Sequence, residues 1–358
     1  MSASSAKWLG AYQRTDEGVG NTQIEFDVVQ FVPKKDRCTA MHLTPDGKVF
    51  MSKGTGVVEE VDPVSGATVR EYKHDLPRFE VTKIGVFDST LVFLEANRIR
   101  LITRGDFTEL QTHVPVNKGL LSSCMSFKEG VVVTCHEDKT LRGFTVDSLS
   151  GTKVKAKWSL KVKGDASPLF CDEETGVLFY LAGSALSAVN VATGKPVPSA
   201  CLQPKNSNVV SGTCGQGLVV LATQFGGLEV WNMSGAAPAL LCSKGDGEIH
   251  EDLVHTCTIL SPTTLATTSI DEQGWLLDAR TLGKLCEFKP PEVNSIVELV
   301  PFRDESDLAP GFYARCYAGT EHTAFAAKIR PSGDANASEA PQKEPPSTDE
   351  AKEEEEGR

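Results

Sequence analysis

The residues whose types and spacing come nearest to reaction chemistry are His250, Glu251 and His255, in HEDLVH. In an H-E-x-x-H zinc site the two imidazoles lie four positions apart on one face of a helix, with the Glu as base. Here the second His follows five positions after the first, and Val254 takes the ligand position. The segment also runs from a polar loop into an apolar strand, so neither a metal ligand nor a catalytic residue is expected in it. The glycine-rich stretches are no better placed to cradle a phosphate. GTGVVE (54–59) and GTCGQG (212–217) miss the dinucleotide spacing, and ATGKP (192–196) lacks the upstream Gly and the hydroxyl of a phosphate loop. No G-x-S-x-G nucleophile turn occurs.

Charge chemistry is concentrated in KVKAKWSLKVKG (153–164). Lys153, Lys155 and Lys157 alternate with Val154, Ala156 and Trp158, so an extended backbone puts three ammonium groups on one face; Lys161 and Lys163 lengthen the strip. Two uses stay open: an outer strand whose lysines block edge pairing, or a basic strip for phosphate or an acidic partner, RNA included. Trp158 is the one aromatic residue in it, too few for stacking bases.

The ten cysteines include no C-x-x-C pair, and Cys124, Cys135, Cys214 and Cys257 fall inside apolar runs, the pattern of small buried thiols in a reducing compartment. MSASSAKWLGAYQRTDEG at the start has no apolar signal core, and no apolar run reaches the roughly 20 residues that span a bilayer. A cytoplasmic or nuclear protein with no membrane contact is therefore expected. Of the formal net charge of −12, residues 334–358 supply −6, from nine acidic and three basic side chains. The body makes no general case for nucleic acid.

The elements that must position these residues are short strands. From His250 to Phe288 four apolar runs, 254–260, 264–269, 275–277 and 285–288, are separated by turn residues, the form of a four-stranded antiparallel meander. Such a sheet has two apolar faces and needs copies of itself on both sides. The copies are present. Third-strand ends marked by an apolar residue and then a small polar one occur at Val61-Asp62, Ile102-Thr103, Phe144-Thr145, Val189-Asn190, Trp231-Asn232 and Leu277-Asp278, spaced 41, 42, 45, 42 and 46 apart. A seventh falls near Ala327, delayed by a polar insertion at 303–310. This predicts an all-β, seven-bladed β-propeller of four-stranded antiparallel blades over 38–330. Within the N-terminal segment 1–37, the strand-like 24–31 should complete the last blade, with 8–12 adding to the seam. Residues 331–358 have no large apolar side chain apart from a few prolines and should form a disordered acidic tail, with Ser347 and Thr348 open to phosphorylation.

Several units resemble the WD-repeat family. EDKTLRGF (137–144) resembles its turn and third strand, with Phe144 where Trp is usual; LATQFGGLEVWN (221–232) places Trp231-Asn232 as the Trp-Asp pair; and IHEDLVHTCTILSP (249–262) resembles the Gly-His opening, with Ile249 replacing Gly. The resemblance implies a buried hydrogen-bonded set in blade 6 made of His250, Ser269 and Asp271, with Leu277 at the Trp position, and comparable places for His74 and His113. TPDGK (44–48) is a turn that the family shares with propeller enzymes carrying metal carboxylates at the channel mouth, so it separates nothing.

The resemblance also implies a rigid, non-catalytic platform for protein partners, without cofactor or small-molecule substrate. Loops at one end of the ring supply the candidate contacts: Lys73, Arg78 and Phe79; Glu248 and Glu251; Trp275; and Lys289. Phe79 and Trp275 are either aromatic anchors or core. The alternatives to an adaptor subunit of a multiprotein complex are an RNA or ribonucleoprotein assembly subunit using Lys153–Lys163 and a channel-mouth metal-dependent hydrolase.

Overall fold

The structure, a computed structural model, describes residues 7–10, 22–27, 38–44, 48–54, 56–62, 67–73, 80–95, 98–113, 120–126, 128–150, 154–163, 166–206, 208–288, 295–303, 310–318 and 321–331. Of the insertion expected at 303–310, 304–309 lie outside them, and Arg303 and Pro310 end and begin strands; of the tail expected at 331–358, all but Pro331, which ends a strand, lie outside them.

Seven antiparallel sheets follow one another along the chain. Blade 1 consists of Cys38–Leu43, Val49–Lys53, Val57–Val61 and Thr68–Lys73. Blade 2 consists of Val81–Phe87, Thr90–Glu95, Arg98–Thr103 and Glu109–His113. Blade 3 has Leu120–Ser126, Val131–His136, Thr140–Thr145 and Trp158–Lys161. Blade 4 has Ala166–Asp172, Val177–Ala182 and Ala185–Asn190. Blade 5 has Val209–Gly215, Leu218–Thr223, Leu228–Asn232 and Ala239–Lys244. Blade 6 has Val254–Ser261, Thr264–Ser269, Gly274–Asp278 and Lys284–Phe288, the meander legible in the sequence. Blade 7 has Ser295–Arg303, Pro310–Ala318 and Glu321–Pro331, and its next strand is Thr22–Asp27 from the start of the chain, bordered by Lys7–Gly10.

Two blades depart from four strands. In blade 4 the fourth strand is reduced to isolated bridges, Val189 with Pro196 and Leu186 with Leu202, around a 3-10 turn at Pro198–Ala200. Pro196 and Pro198 lack the N–H that a ladder requires, so the outer edge cannot pair continuously. Blade 7 has five strands because both N-terminal strands join it.

Burial follows position in the blade. Second strands such as Val131–His136 and Leu218–Thr223 are buried at every residue, because a neighbouring sheet covers each face. That is why they read VVVTCH and LVVLAT rather than as an alternation. Outer strands such as Thr68–Lys73 are largely exposed. The core is a series of layers between blades: Phe50 and Tyr72 meet Ile84 and Phe93 between blades 1 and 2; Leu94 and Leu101 meet Val132 and Phe144 between 2 and 3; Phe170 and Phe179 meet Val219 and Trp231 between 4 and 5. Blade 6 packs on blade 7, where Thr268 Oγ1 donates to Ile296 O at 2.8 Å, and the third strand of blade 7 packs on the first of blade 1.

The layer between blades 3 and 4 is fastened by Trp158. Its indole is buried, and Nε1 donates to Val191 O of blade 4 at 2.7 Å. The ring lies over Gly143, where a Cβ would stand 2.2 Å from Trp158 Cε2. Trp158→Ala should cost about 3–5 kcal/mol, the range for emptying a large aromatic site. Gly143→Ala should also destabilise, but should become nearly neutral in the Trp158→Ala background, because the clash then has no partner. Urea denaturation of the four proteins checks this, and additive losses would contradict it.

Candidate protein-interaction site

Blade 5 ends at Lys244 and blade 6 begins at Val254, and the link between them, 245–253, holds Glu248, His250 and Glu251. It is pinned from both sides. The Gly247 N–H donates to Phe225 O at 2.7 Å and the His250 N–H to Gly226 O at 3.2 Å, both on the turn of blade 5; on the turn of blade 6 the Ile270 N–H donates to Leu253 O at 3.0 Å. Gly226 has φ +82°, and a Cβ there would stand 1.8 Å from His250 O. Only glycine permits this approach.

His250 is buried under the link and ties it to blade 6. Its Nδ1 faces the Asp271 carboxylate at 3.1 Å and its Nε2 meets Thr267 Oγ1 at 3.0 Å. With the proton on Nδ1, the ring donates to Asp271 and accepts from the Thr267 hydroxyl. Asp271 also accepts the backbone N–H of Glu251 at 3.0 Å and of Gln273 at 2.9 Å. One carboxylate thus joins the link, the histidine and the turn.

The hydroxyl on His250 is therefore that of Thr267, where the sequence suggested Ser269. Both lie on one face of the strand, two residues apart, but Thr267 is one pleat deeper, at the level of the ring. Ser269 serves the mouth of the turn instead: it donates to Asp252 O at 3.1 Å and accepts the Asp271 N–H at 3.2 Å. Leu277, at the Trp position, is buried in the apolar layer between blades 5 and 6 and supplies no N–H. In blade 5 the Trp231 Nε1 donates to Glu229 Oε2 at 3.0 Å; the fully buried Glu229 also accepts the Asn206 N–H at 2.7 Å. Phe144 is buried between blades 2 and 3. In blade 3, Thr134 Oγ1 and His136 Nε2 lie 2.8 Å apart.

Of the candidate contact residues, Glu248 and Glu251 are exposed on the same link, while Lys73 is at the end of the outer strand of blade 1, paired with Glu71 at 2.8 Å. Trp275 is half-buried on the third strand of blade 6, with Lys284 Nζ 4.1 Å from the ring centroid and the ring against the layer between blades 5 and 6. Arg78, Phe79, Lys289, Lys153 and His74 lie outside the described residues, and only the backbone of His113 is described. In the lysine strip, Lys155, Lys157, Lys161 and Lys163 are all exposed, beside buried Trp158 and Val162. Sequence reasoning passed over Phe225 and Ile270, exposed apolar residues on the two turns that hold the link. The visible signal was an apolar residue next to Gly226-Gly227 or Asp271 in an otherwise polar turn.

Burial raises the thiols of Cys242 and Cys286 to about 11 and of Cys257 to about 12, and pushes those of Cys124, Cys171 and Cys214 up as well. These six are packing groups rather than thiolate nucleophiles. Among the described residues, no group of three or more His, Cys, Asp or Glu is placed to hold a metal, and no helix is long and apolar enough to cross a membrane.

Compared with solved structures, the chain superposes on "Crystal structure of RRP9 WD40 repeats" with a TM-score of 0.63 over 90% of this chain and 100% of that one, at 12% identity. The fold is that of a WD40 propeller. A second structure, "Structure of U3-55K", gives 0.62 over 84% and 97%, again at 12% identity. No family model and no curated protein matches the sequence. The WD40 likeness lies in the packing of the blades, while the repeat's usual side chains are only partly kept.

Two measurements test the buried set. Asp271→Ala removes the acceptor of three donors and should cost on the order of 3 kcal/mol, against about 1 kcal/mol for Ser269→Ala; equal losses would place Ser269 in the chain. Burial lowers both His250 and His42, the latter to about 4 from 6.5. The unfolded chain therefore protonates first, so stability is full above pH 6.5 and falls toward pH 4. The Tm should follow that fall, and His42→Gln should flatten it; an unchanged slope in the variant would contradict the assignment.

Proposed function

We propose that the chain is a non-catalytic interaction scaffold, an adaptor subunit that presents the pinned link between blades 5 and 6 to protein partners. The observation that carries this reading is the fixing of 245–253 by backbone bonds from both turns, and by Asp271 beneath, while Glu248 and Glu251 remain exposed. A loop already held in place binds without a large ordering cost. Affinity purification of the tagged protein from its own cells, with and without RNase, is the test. A stoichiometric set of proteins that survives RNase is the expected outcome; recovery of the chain alone would overturn it.

A second reading, RNA binding through the lysine strip, is favoured by one observation. The paired outer edge of blade 3 runs from Lys157, whose N–H donates to Gly143 O at 2.8 Å, through Trp158–Lys161, so exposed Lys155 lies ahead of it and protection of that edge does not account for this side chain. On this reading Lys155→Glu with Lys157→Glu lowers RNA affinity and flattens its salt dependence by about 0.7–0.9 for each phosphate no longer neutralised. Unchanged binding would leave the strip to its structural use.

A further inference from the structure

The exposed large apolar side chains among the described residues fall into two groups. Val69, Leu110 and Leu241 are on outer strands and Val210 is the extra residue where the first strand of blade 5 slips register, all positions set by the sheets. Phe225 and Ile270, 48% and 43% exposed, are instead on the turns between second and third strands of adjacent blades. The described turn residues at the same place in blades 1, 3 and 4, at 54 and 56, 137–139 and 183–184, are small, polar or charged. Nothing in the turns requires apolar tips. The tight approach is made by Gly226, and the hydrogen bonds of Phe225 and Ile270 with the link are backbone bonds that any residue other than proline could make.

The surroundings of these tips are mainly acidic, with Lys244 and Lys284 as the nearby cations. On the link and the blade 6 turn, Asp246, Glu248, Glu251 and Glu272 are exposed, while the histidine between them is buried, which lowers its pKa. The basic residue nearest in sequence, Lys244, has Nζ 3.8 Å from Glu248. Two apolar tips rimmed by carboxylates repel phosphate and attract a cationic chain that can also bury apolar surface. The acidic tail of this protein has the wrong sign to fill the site.

We propose that the turns of blades 5 and 6 form a docking surface for a short, Lys/Arg-rich segment of a partner protein, whose apolar side chains pack on Phe225 and Ile270 while its cations meet Glu248, Glu251 and Glu272. The proposal rests on the scaffold reading and supplies its partner chemistry. Apolar contact provides the anchor, and the carboxylates provide orientation and rate of encounter.

The test is selection of a random-peptide display library on the full chain, with counter-selection on Phe225→Ser/Ile270→Ser. Both side chains are exposed, so the double variant should keep the wild-type Tm. The expected result is a consensus with Lys or Arg beside an apolar residue, bound at least about tenfold more weakly by the double variant. Glu248→Lys/Glu251→Lys should weaken the same peptide and reduce the salt dependence of its binding. A neutral or acidic consensus, equal binding to the double variant, or no enrichment would each overturn the proposal. So would a concentration-dependent dimer of the chain alone that the double variant abolishes, because the occupant would then be a second copy. Affinity purification of the double variant separates this failure from that of the scaffold: a complex retained at wild-type stoichiometry discards this surface and keeps the scaffold, whereas a wild-type chain that purifies alone discards both.

Discussion

Every blade is a sheet with two apolar faces, and face-to-face packing against the next blade is what the rest of the structure depends on. Second strands such as Val131–His136 and Leu218–Thr223 have no exposed residue, so no blade is stable by itself in water. A ring of such sheets needs strong twist. The first strand of each blade slips register near its start, between Cys38 and Ala40, Val81 and Lys83, Leu120 and Ser122, Pro168 and Phe170, Val209 and Ser211, Val254 and Thr256, and Ile296 and Glu298, and that of blade 6 slips again between Ile259 and Ser261. An extra residue at such a point sharpens the local twist. Its recurrence in all seven sheets makes it part of the repeat.

The polar groups trapped by that packing are satisfied differently in each blade. Blade 6 uses His250, Asp271 and Thr267; blade 5 uses Trp231 with Glu229; blade 3 pairs Thr134 with His136. Blades 1 and 2 bury charges in pairs, with Glu60 held by Lys48 at 2.7 Å and by Arg70, and Arg100 by Glu95 at 3.1 Å. A buried polar group needs a partner but not a particular one. Side-chain signatures can therefore drift while the layers persist, which fits a TM-score of 0.63 at 12% identity.

The same distinction explains what was legible in the sequence. Strand order and blade period were, because β-branched runs, turn residues and third-strand ends repeat as packing demands; Val61, Ile102, Phe144, Val189, Trp231 and Leu277 all lie at or within one residue of the end of a third strand. The choice of Thr267 over Ser269 was not, because both share one face and only depth in the blade separates them. The absent fourth strand of blade 4 was signalled by Pro196 and Pro198, yet regular period in the neighbouring blades outweighed it. Phe225 and Ile270 escaped attention because a single apolar residue in a turn has no periodicity to reveal it. Their meaning comes from a link that is hydrogen-bonded to both of their turns, which lie far apart in the chain.

Strand Thr22–Asp27 lies against Glu321–Pro331, Gln23 opposite Arg330 and Asp27 opposite Ala326. A ribosome releases the first of these strands long before the second exists. Until then Thr22–Asp27 has no native neighbour in its sheet on that side, and blade 1 has an uncovered flank where blade 7 will pack. The completed ring can therefore form only after Glu321–Pro331 has emerged, and until then a nascent chain carries a strand with one open edge and a blade with an open apolar face. That interval is when the chain is most exposed to mispairing with its neighbours and has most to gain from a chaperone.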